Sequence, residues 1–191
     1  MPPKPKFTKE DIVEKALLLV SEKGSEYLTA RELAAKLGSS SRPIFTIFNN
    51  MKEVLDEVYN SAMNLFSEYV NKKNYDVPLF KQIGISMIEF AINEPKLYQL
   101  LFMSEHDKDR SFNDVLSHLG NVADLCIETI MNDYNMTYDN ANELFKYLWI
   151  FTFSIGALCA TKACVFSYDE IMDMLGKEFR GMISLILKES K

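Results

Sequence analysis

Helix-start motifs recur along this chain, and they constrain its fold more than any other feature. Thr8, Thr29, Asn50 and Ser167 each precede an apolar pattern of helical period, with an acidic residue three positions later. No segment shows the period-two alternation of a half-buried strand. Glycine and proline are few, 7 and 6 among 191 residues, whereas a sandwich or barrel needs many tight turns. We therefore predict an all-α chain of about nine helices.

The first four helices are predicted over 9–23, over 29–37, over about 40–47, and from Asn50 onward. Later in the chain we predict helices that open at Asp76, Asn93, Thr137 and Ser167, a polar loop over 104–110, and a long helix marked from Val115 and Leu119 to Tyr134.

The segment 147–166 is a twenty-residue apolar run with a single charge, Lys162. A membrane-spanning helix needs about that length. The flanking helices are amphipathic with charged faces, and no second such run exists. We interpret the run as a helix of a soluble protein that is buried on nearly all sides, with a membrane span as the alternative.

Charge is distributed unevenly along the chain. Residues 1–52 contain nine Lys/Arg and six Asp/Glu, whereas the remainder contains 12 basic and 21 acidic residues. The whole chain has a formal net charge of −6. A basic N-terminal part on an acidic body favours a polyanionic partner for the N-terminal part. Chance scatter of a few charges is the alternative.

The residues that most often carry catalysis or bind metals are sparse and scattered. Cys126, Cys159 and Cys164 form no CxxC pair, and His106 and His118 stand apart from them. There is no Glu-x-x-His motif and no Ser or Cys beside a plausible base. We predict no metal, no cofactor and no enzymatic activity. The first residues are basic and no apolar run follows them, so we expect no signal peptide and a cytoplasmic location.

The helices predicted over 29–37 and 40–47 have the spacing of a helix-turn-helix, joined at Gly38. The apolar positions Leu33, Ala34, Leu37, Ile44 and Ile47 would face inward. The second helix then directs Ser40, Ser41, Arg42, Phe45 and Thr46 outward, and these side chains suit contacts with phosphates, base edges and sugars. Burial of Phe45 against the first helix is the alternative.

Residues 8–55 resemble the DNA-binding domain of the tetracycline-repressor (TetR) family of bacterial transcriptional regulators. The motif positions of that family are occupied here by Thr29, Arg31, Leu33, Ala34, Gly38, Ser40, Pro43, Ile44, Phe45, Phe48, Asn50 and Leu55. The segments EPKLYQLLFMS and DEIMDMLGKEFRGMI also look like a common C-terminal type in the family.

The resemblance implies a helix-turn-helix DNA-binding domain at 1–50 and a ligand-binding and dimerisation domain at 51–191. It implies a homodimer bound to a palindromic operator on double-stranded DNA, and a repressor that an unknown small-molecule effector releases. The residues themselves do not decide between a repressor and an activator.

Three positions depart from the family pattern. Phe45 replaces the usual tyrosine, Ile47 replaces the usual histidine or tyrosine, and Met51 replaces the usual lysine. Phosphate contacts that the resemblance implies are therefore missing or moved. Thr46, Thr29 and Lys52 can partly compensate, and Lys6 can enter a groove as part of an N-terminal arm. A helical protein-interaction module with weakened DNA binding is the alternative function.

In this family the larger domain usually holds a small-molecule pocket. We predict its lining as Met63, Phe66, Met87, Phe90, Phe102, Cys126, Trp149 and Phe153. Such a lining would suit an apolar or cationic aromatic molecule. The alternative is that these residues are ordinary core, since Met and aromatic residues at helical spacing usually are.

The last two helices carry the pattern expected of a dimer interface. The first of these helices has small residues that allow close helix approach: Gly156, Ala160 and Ala163. The last helix has an apolar line that can complete a four-helix bundle with a second chain: Leu175, Phe179, Met182 and Ile186. A monomer that folds these faces onto its own core is the alternative.

Overall fold

The computed structural model describes residues 7–72, 77–104, 111–112 and 121–189, and these contain nine α-helices and no strand. The helices are α1 (Lys9–Lys23), α2 (Ala30–Lys36), α3 (Arg42–Ile47), α4 (Met51–Lys72), α5 (Leu79–Asn93), α6 (Pro95–Phe102), α7 (Asn121–Tyr134), α8 (Tyr138–Ala160) and α9 (Tyr168–Glu189). The predicted all-α class is confirmed.

Several predictions fall on residues outside the described ranges. They concern Lys6, the helix start at Asp76, the loop over 105–110, His106 and His118, and the helix markers Val115 and Leu119.

Side-chain caps explain why many of the helices begin where they do. The Thr8 hydroxyl accepts a hydrogen bond from the Asp11 N–H at 3.1 Å, and the Asp11 carboxylate accepts one from the Thr8 N–H at 2.8 Å. Thr29 accepts from the Glu32 N–H at 3.2 Å, and Thr137 caps α8 in the same way. Each cap satisfies a backbone donor that has no partner within its helix.

The start of α4 is a variant of the predicted cap. The Asn50 side chain accepts from the Glu53 N–H at 3.0 Å, as expected. The Glu53 carboxylate reaches back one residue further, to the N–H of Asn49 at 2.9 Å and to its side-chain amide at 2.8 Å. These hydrogen bonds hold the pKa of Glu53 below its ordinary value. They fix the chain between α3 and α4.

The described residues divide into two compact units, with the division inside α4. Unit 1 comprises those of Met1–Glu68 and Asn93–Ser104, and unit 2 those of Tyr69–Ile92 and Glu105–Lys191. The predicted domain boundary between residues 50 and 51 lies within unit 1. The assignment of separate DNA-binding and ligand-binding functions to residues 1–50 and 51–191 stays a prediction.

In unit 1, α1 packs against α2 and α6. Its apolar side supplies Ile12, Ala16 and Val20, all fully buried, and α6 contributes Leu97 and Tyr98. This core fixes α2, and α2 in turn positions the turn that precedes α3.

In unit 2, α8 packs against both α7 and α9. The contact between α8 and α9 includes Ile155 and Ile171, which lie in one apolar cluster with Ile88 of α5. Burial of these side chains supplies the hydrophobic driving force for the packing of the unit.

The prediction for the apolar run at 147–166 is wrong in two respects. The helix ends at Ala160, because Lys162 adopts a left-handed backbone conformation with φ 58°. Only 39% of its most apolar 18-residue window is buried. Tyr147, Ile150 and Leu158 are exposed by 41%, 43% and 38%. We call the side of α8 that carries these three residues the α8 outer face.

By length and composition, α8 is the one helix among the described residues that qualifies as a candidate membrane span. A core helix of a soluble protein has the same length and composition, so this property alone does not place the chain in a membrane.

Candidate functional site

The turn between α2 and α3 has a well-defined hydrogen-bond pattern. The Gly38 N–H donates to the Ala35 carbonyl and the Ser39 N–H donates to the Ala34 carbonyl, both at 3.0 Å. This pair of hydrogen bonds is a Schellman motif, and Gly38 takes the left-handed conformation that the motif requires, with φ 61°. The chain thus leaves α2 sharply and re-enters a helix at Arg42.

Apolar residues fix α3 against the rest of unit 1. Leu33, Ala34, Ile44 and Phe48 are buried, as expected for the inner side of a helix-turn-helix. Leu37 and Ile47, also predicted to face inward, are half-buried. Pro43 lies in the first turn of α3, where a missing N–H has little effect. Because Ile44 is anchored, the opposite side of α3 faces outward.

That outer side of α3 carries most of the predicted DNA contacts. Arg42, Phe45 and Thr46 are exposed, together with Ser40 before the helix, whereas Ser41 is half-buried. Phe45 is 48% exposed, so the alternative of its burial against the first helix is wrong. The Thr46 hydroxyl donates to the Arg42 carbonyl at 2.9 Å, which leaves its oxygen available only as an acceptor.

Ion pairs occupy several of the basic residues of unit 1. Lys9 pairs with Glu57 at 2.7 Å and Lys36 with Glu22 at 2.6 Å. Within the described part of the chain, Arg31, Arg42 and Lys52 take part in no ion pair. These three cations lie at the start of α2, the start of α3 and the start of α4. None of these three charges around the helix-turn-helix is neutralised by an ion pair among the described residues.

The remaining predicted DNA contacts have mixed environments. Thr29 is exposed, but its hydroxyl caps α2. Lys52 is exposed in the first turn of α4. Ile47 and Met51, which replace polar residues of the family pattern, are half-buried.

The eight residues predicted to line a ligand pocket are distributed over both units. In unit 1 the rings of Phe66 and Phe102 meet edge to face at 5.4 Å, and Met63 is half-buried. In unit 2, Phe153 is half-buried. The other four predicted residues in this unit are buried: Met87, Phe90, Cys126 and Trp149. Burial raises the pKa of the Cys126 thiol to about 12, so this group is an inert thiol at neutral pH.

The structure contains a cavity of about 190 Å³ within unit 2, which the sequence prediction missed. Its lining residues are Pro78, Phe80, Lys81, Gly84, Tyr134, Leu148, Thr152, Leu175, Gly176, Phe179 and Arg180. None of the eight predicted ligand residues lines it. An aromatic residue followed directly by a cation occurs at Phe80-Lys81 and Phe179-Arg180, which line the cavity, and also at Phe145-Lys146, which does not.

The predicted dimer residues also differ in their surroundings. Gly156, Ala160 and Ile186 are buried within the single chain, and Ala163 lies beyond the end of α8 in an exposed turn. Leu175 and Phe179 line the cavity, and Met182 is half-buried. Whether any of them contacts a second chain stays a prediction.

Among the described residues, no group of three or more His, Cys, Asp or Glu side chains is placed to hold a metal ion.

Comparison with known proteins shows a likeness at the level of the fold. No protein-family model and no curated protein sequence matches the chain. A solved structure of a TetR variant from Acinetobacter baumannii AYE, in complex with minocycline, matches over 96% of both chains. Its TM-score is 0.54 at 17% sequence identity. The chain therefore has the TetR fold, and the resemblance predicted from residues 8–55 is confirmed at that level.

Proposed function

We propose that the chain is a TetR-type transcriptional regulator that binds double-stranded DNA through α3. The observation that carries this proposal is the outer side of α3, where Arg42, Phe45 and Thr46 are exposed on a helix anchored by Ile44. A helix presented in this way fits the major groove, and an arginine there can donate two hydrogen bonds to guanine.

Electrostatics support the same proposal. Arg31, Arg42 and Lys52 have no acidic partner among the described residues, so their charge is available to phosphates. Phe45 supplies no phosphate hydrogen bond, but an exposed ring can cover a sugar or a thymine methyl group. The affinity that three cations provide depends on salt, because counterions are released from the DNA.

We infer that the DNA-binding form is a homodimer in which the α8 outer face packs against a second copy. Tyr147, Ile150 and Leu158 form an exposed apolar surface in the single chain. Ser154 and Ala157, which lie between them in the sequence, are small enough for two helices to approach closely. Two-fold symmetry of such a dimer matches a palindromic operator, whose half-sites lie about 34–36 Å apart.

The proposed regulator is cytoplasmic and acts as a repressor released by a small molecule. The fold neighbour is a complex with minocycline, and this chain has a cavity of its own in unit 2. A ligand that binds the DNA-free form more tightly lowers operator affinity, and DNA lowers ligand affinity by the same factor.

Selection of bound sequences from random duplex DNA tests the proposal. The wild type is expected to enrich a palindrome, and Arg42→Ala is expected to lose enrichment or relax specificity at one position of each half-site. Lys188→Ala, a change of an exposed cation in α9, is the matched control and should retain the wild-type motif. Absence of any enrichment at low salt contradicts the proposal.

The exposed apolar α8 outer face also favours the alternative function, a helical protein-interaction module. Salt dependence separates the two functions. Binding to DNA weakens steeply as salt rises, whereas binding through an apolar surface changes little.

A further inference from the structure

Three aromatic rings, one from each of three helices, form a cluster in the lining of the unit 2 cavity. Phe80 of α5 and Phe179 of α9 are stacked, with ring centroids 5.3 Å apart and planes inclined by 25°. Tyr134 at the end of α7 lies 5.2 Å from Phe179 and 6.3 Å from Phe80. This cluster gives the cavity a wall that favours a flat aromatic ligand.

Two cations lie beside these rings. Lys81 follows Phe80 and Arg180 follows Phe179, and both line the cavity. Neither takes part in an ion pair with any described residue. A Cβ atom added at Gly176 would lie 3.2 Å from the Arg180 guanidinium, so this group lies over the bare backbone of Gly176. The glycine thus leaves room for the guanidinium at the cavity.

The polar groups of the cavity select the sign of the ligand charge. No acidic side chain is among its described lining residues. The nearest carboxyl groups in sequence, Asp133 and Glu178, are adjacent to lining residues but do not line the cavity themselves. The Tyr134 hydroxyl is protonated at neutral pH and can donate a hydrogen bond, and burial, with a smaller effect of Asp133, raises its pKa further. Donors and cations together favour an anion.

The size of the cavity sets a limit on the ligand. Its volume is about 190 Å³, and an apolar cavity of about 150 Å³ is known to hold one benzene molecule. One aromatic ring with one small substituent therefore fits within this volume, whereas a fused multi-ring ligand would extend beyond it.

We infer that this cavity binds a single-ring aromatic carboxylate, with the ring against Phe80 and Phe179 and the carboxylate facing Lys81 and Arg180. A bidentate pair between a carboxylate and the Arg180 guanidinium would supply most of the orientation. The inference deepens the proposed function by naming the effector class, and it rests on that proposal only for its link to DNA binding.

Isothermal titration of the full chain in the absence of DNA tests the inference directly. Benzoate is the probe, and benzyl alcohol, benzylammonium and hexanoate are the neutral, cationic and non-aromatic comparisons. We expect saturable benzoate binding with a Kd below about 1 mM and at least about tenfold weaker binding of each comparison compound.

Charge variants give a second, independent readout. Arg180→Gln and Lys81→Gln should each weaken benzoate binding about tenfold or more, since each removes a charge-assisted contact. Lys188→Gln, in α9 but outside the cavity lining, should bind as the wild type does. Circular dichroism of each variant shows whether it is folded.

The inference would be overturned by no saturable benzoate binding, by equally tight binding of benzyl alcohol, or by unchanged affinity in folded Arg180→Gln and Lys81→Gln. Tighter binding of hexanoate would also overturn it, because the site would then select an acyl chain. A failure to bind DNA would contradict the proposed function but would leave the titration result as it stands.

Discussion

At Gly38 the backbone conformation alone disfavours other residues. Its φ is 61°, and a Cβ atom added there would meet nothing within 4 Å. The left-handed conformation costs an ordinary L-residue about 1–2 kcal/mol. We expect Gly38→Ala to lower the free energy of unfolding by about 1 kcal/mol and Gly38→Asn by less, since asparagine tolerates this conformation. Urea unfolding followed by circular dichroism measures both changes, and equal stability of the two variants would contradict the explanation.

Glu178 is a residue whose ionisation opposes folding. Burial raises its pKa from 4.5 to about 6, and one of its carboxylate oxygens is buried with no hydrogen-bond partner among the described residues. Because the folded state holds the proton more tightly, the free energy of unfolding falls as pH rises from about 4.5 through 6. Glu178→Gln removes this pH dependence.

Thermal unfolding at several pH values tests the role of Glu178. The Tm of Glu178→Gln relative to wild type should be higher at about pH 7.5 than at about pH 4. Glu189→Gln, at the exposed end of the same helix, is the control for loss of one negative charge. The same Tm difference at both pH values would show that the carboxyl group of Glu178 is not perturbed by burial.

At the scale of single elements, the cap of α9 illustrates a local interaction that can be measured. The Ser167 hydroxyl accepts from the Glu170 N–H at 3.3 Å, and the Glu170 carboxylate accepts from the Ser167 N–H at 2.8 Å. Ser167→Ala should lower the free energy of unfolding by about 1 kcal/mol. Ser67→Ala at an exposed position of α4 is the control and should have a smaller effect. A Tm of Ser167→Ala equal to that of Ser67→Ala would argue against the cap.

Capping residues also explain which elements could be predicted from the sequence. A cap joins residues three positions apart, so the starts of four helices could be predicted from the local sequence at Thr8, Thr29, Asn50 and Ser167. The end of α8 was missed because Lys162, and no glycine or proline, takes the left-handed conformation there. The exposed side of α8 was missed because an apolar run does not reveal which of its faces finds a partner.

Of the two candidate sites, the helix-turn-helix could be predicted from the sequence and the cavity could not. The helix-turn-helix lies within one short segment, so the residue spacing around Gly38 was sufficient to predict it. The cavity draws on residues between Pro78 and Arg180, and on the space left by Gly84 and Gly176. Only tertiary packing brings such distant residues together, and helical periodicity carries no information about that packing.

At the scale of the whole molecule, the proposed homodimer depends on the α8 outer face. Ile150 is 43% exposed near the middle of that face. Ile150→Glu should give a monomer at micromolar concentration, because a buried unpaired carboxylate strongly opposes association. Light scattering would then report the 22.0 kDa chain, against about twice that mass for wild type. Leu18→Glu, at an exposed position of α1 in unit 1, should stay dimeric. A dimeric Ile150→Glu would place the interface elsewhere.

If the cavity ligand is the effector, ligand and operator must affect each other equally. Saturating benzoate should weaken binding to the selected operator about fivefold or more, and saturating operator should weaken benzoate binding by the same factor. Sodium chloride at matched ionic strength is the necessary control, since salt alone weakens DNA binding. Arg180→Gln should bind the operator normally and fail to respond to benzoate at the concentration that releases wild type. An operator affinity unchanged by benzoate in wild type, with benzoate demonstrably bound, would separate the cavity from the regulation of DNA binding.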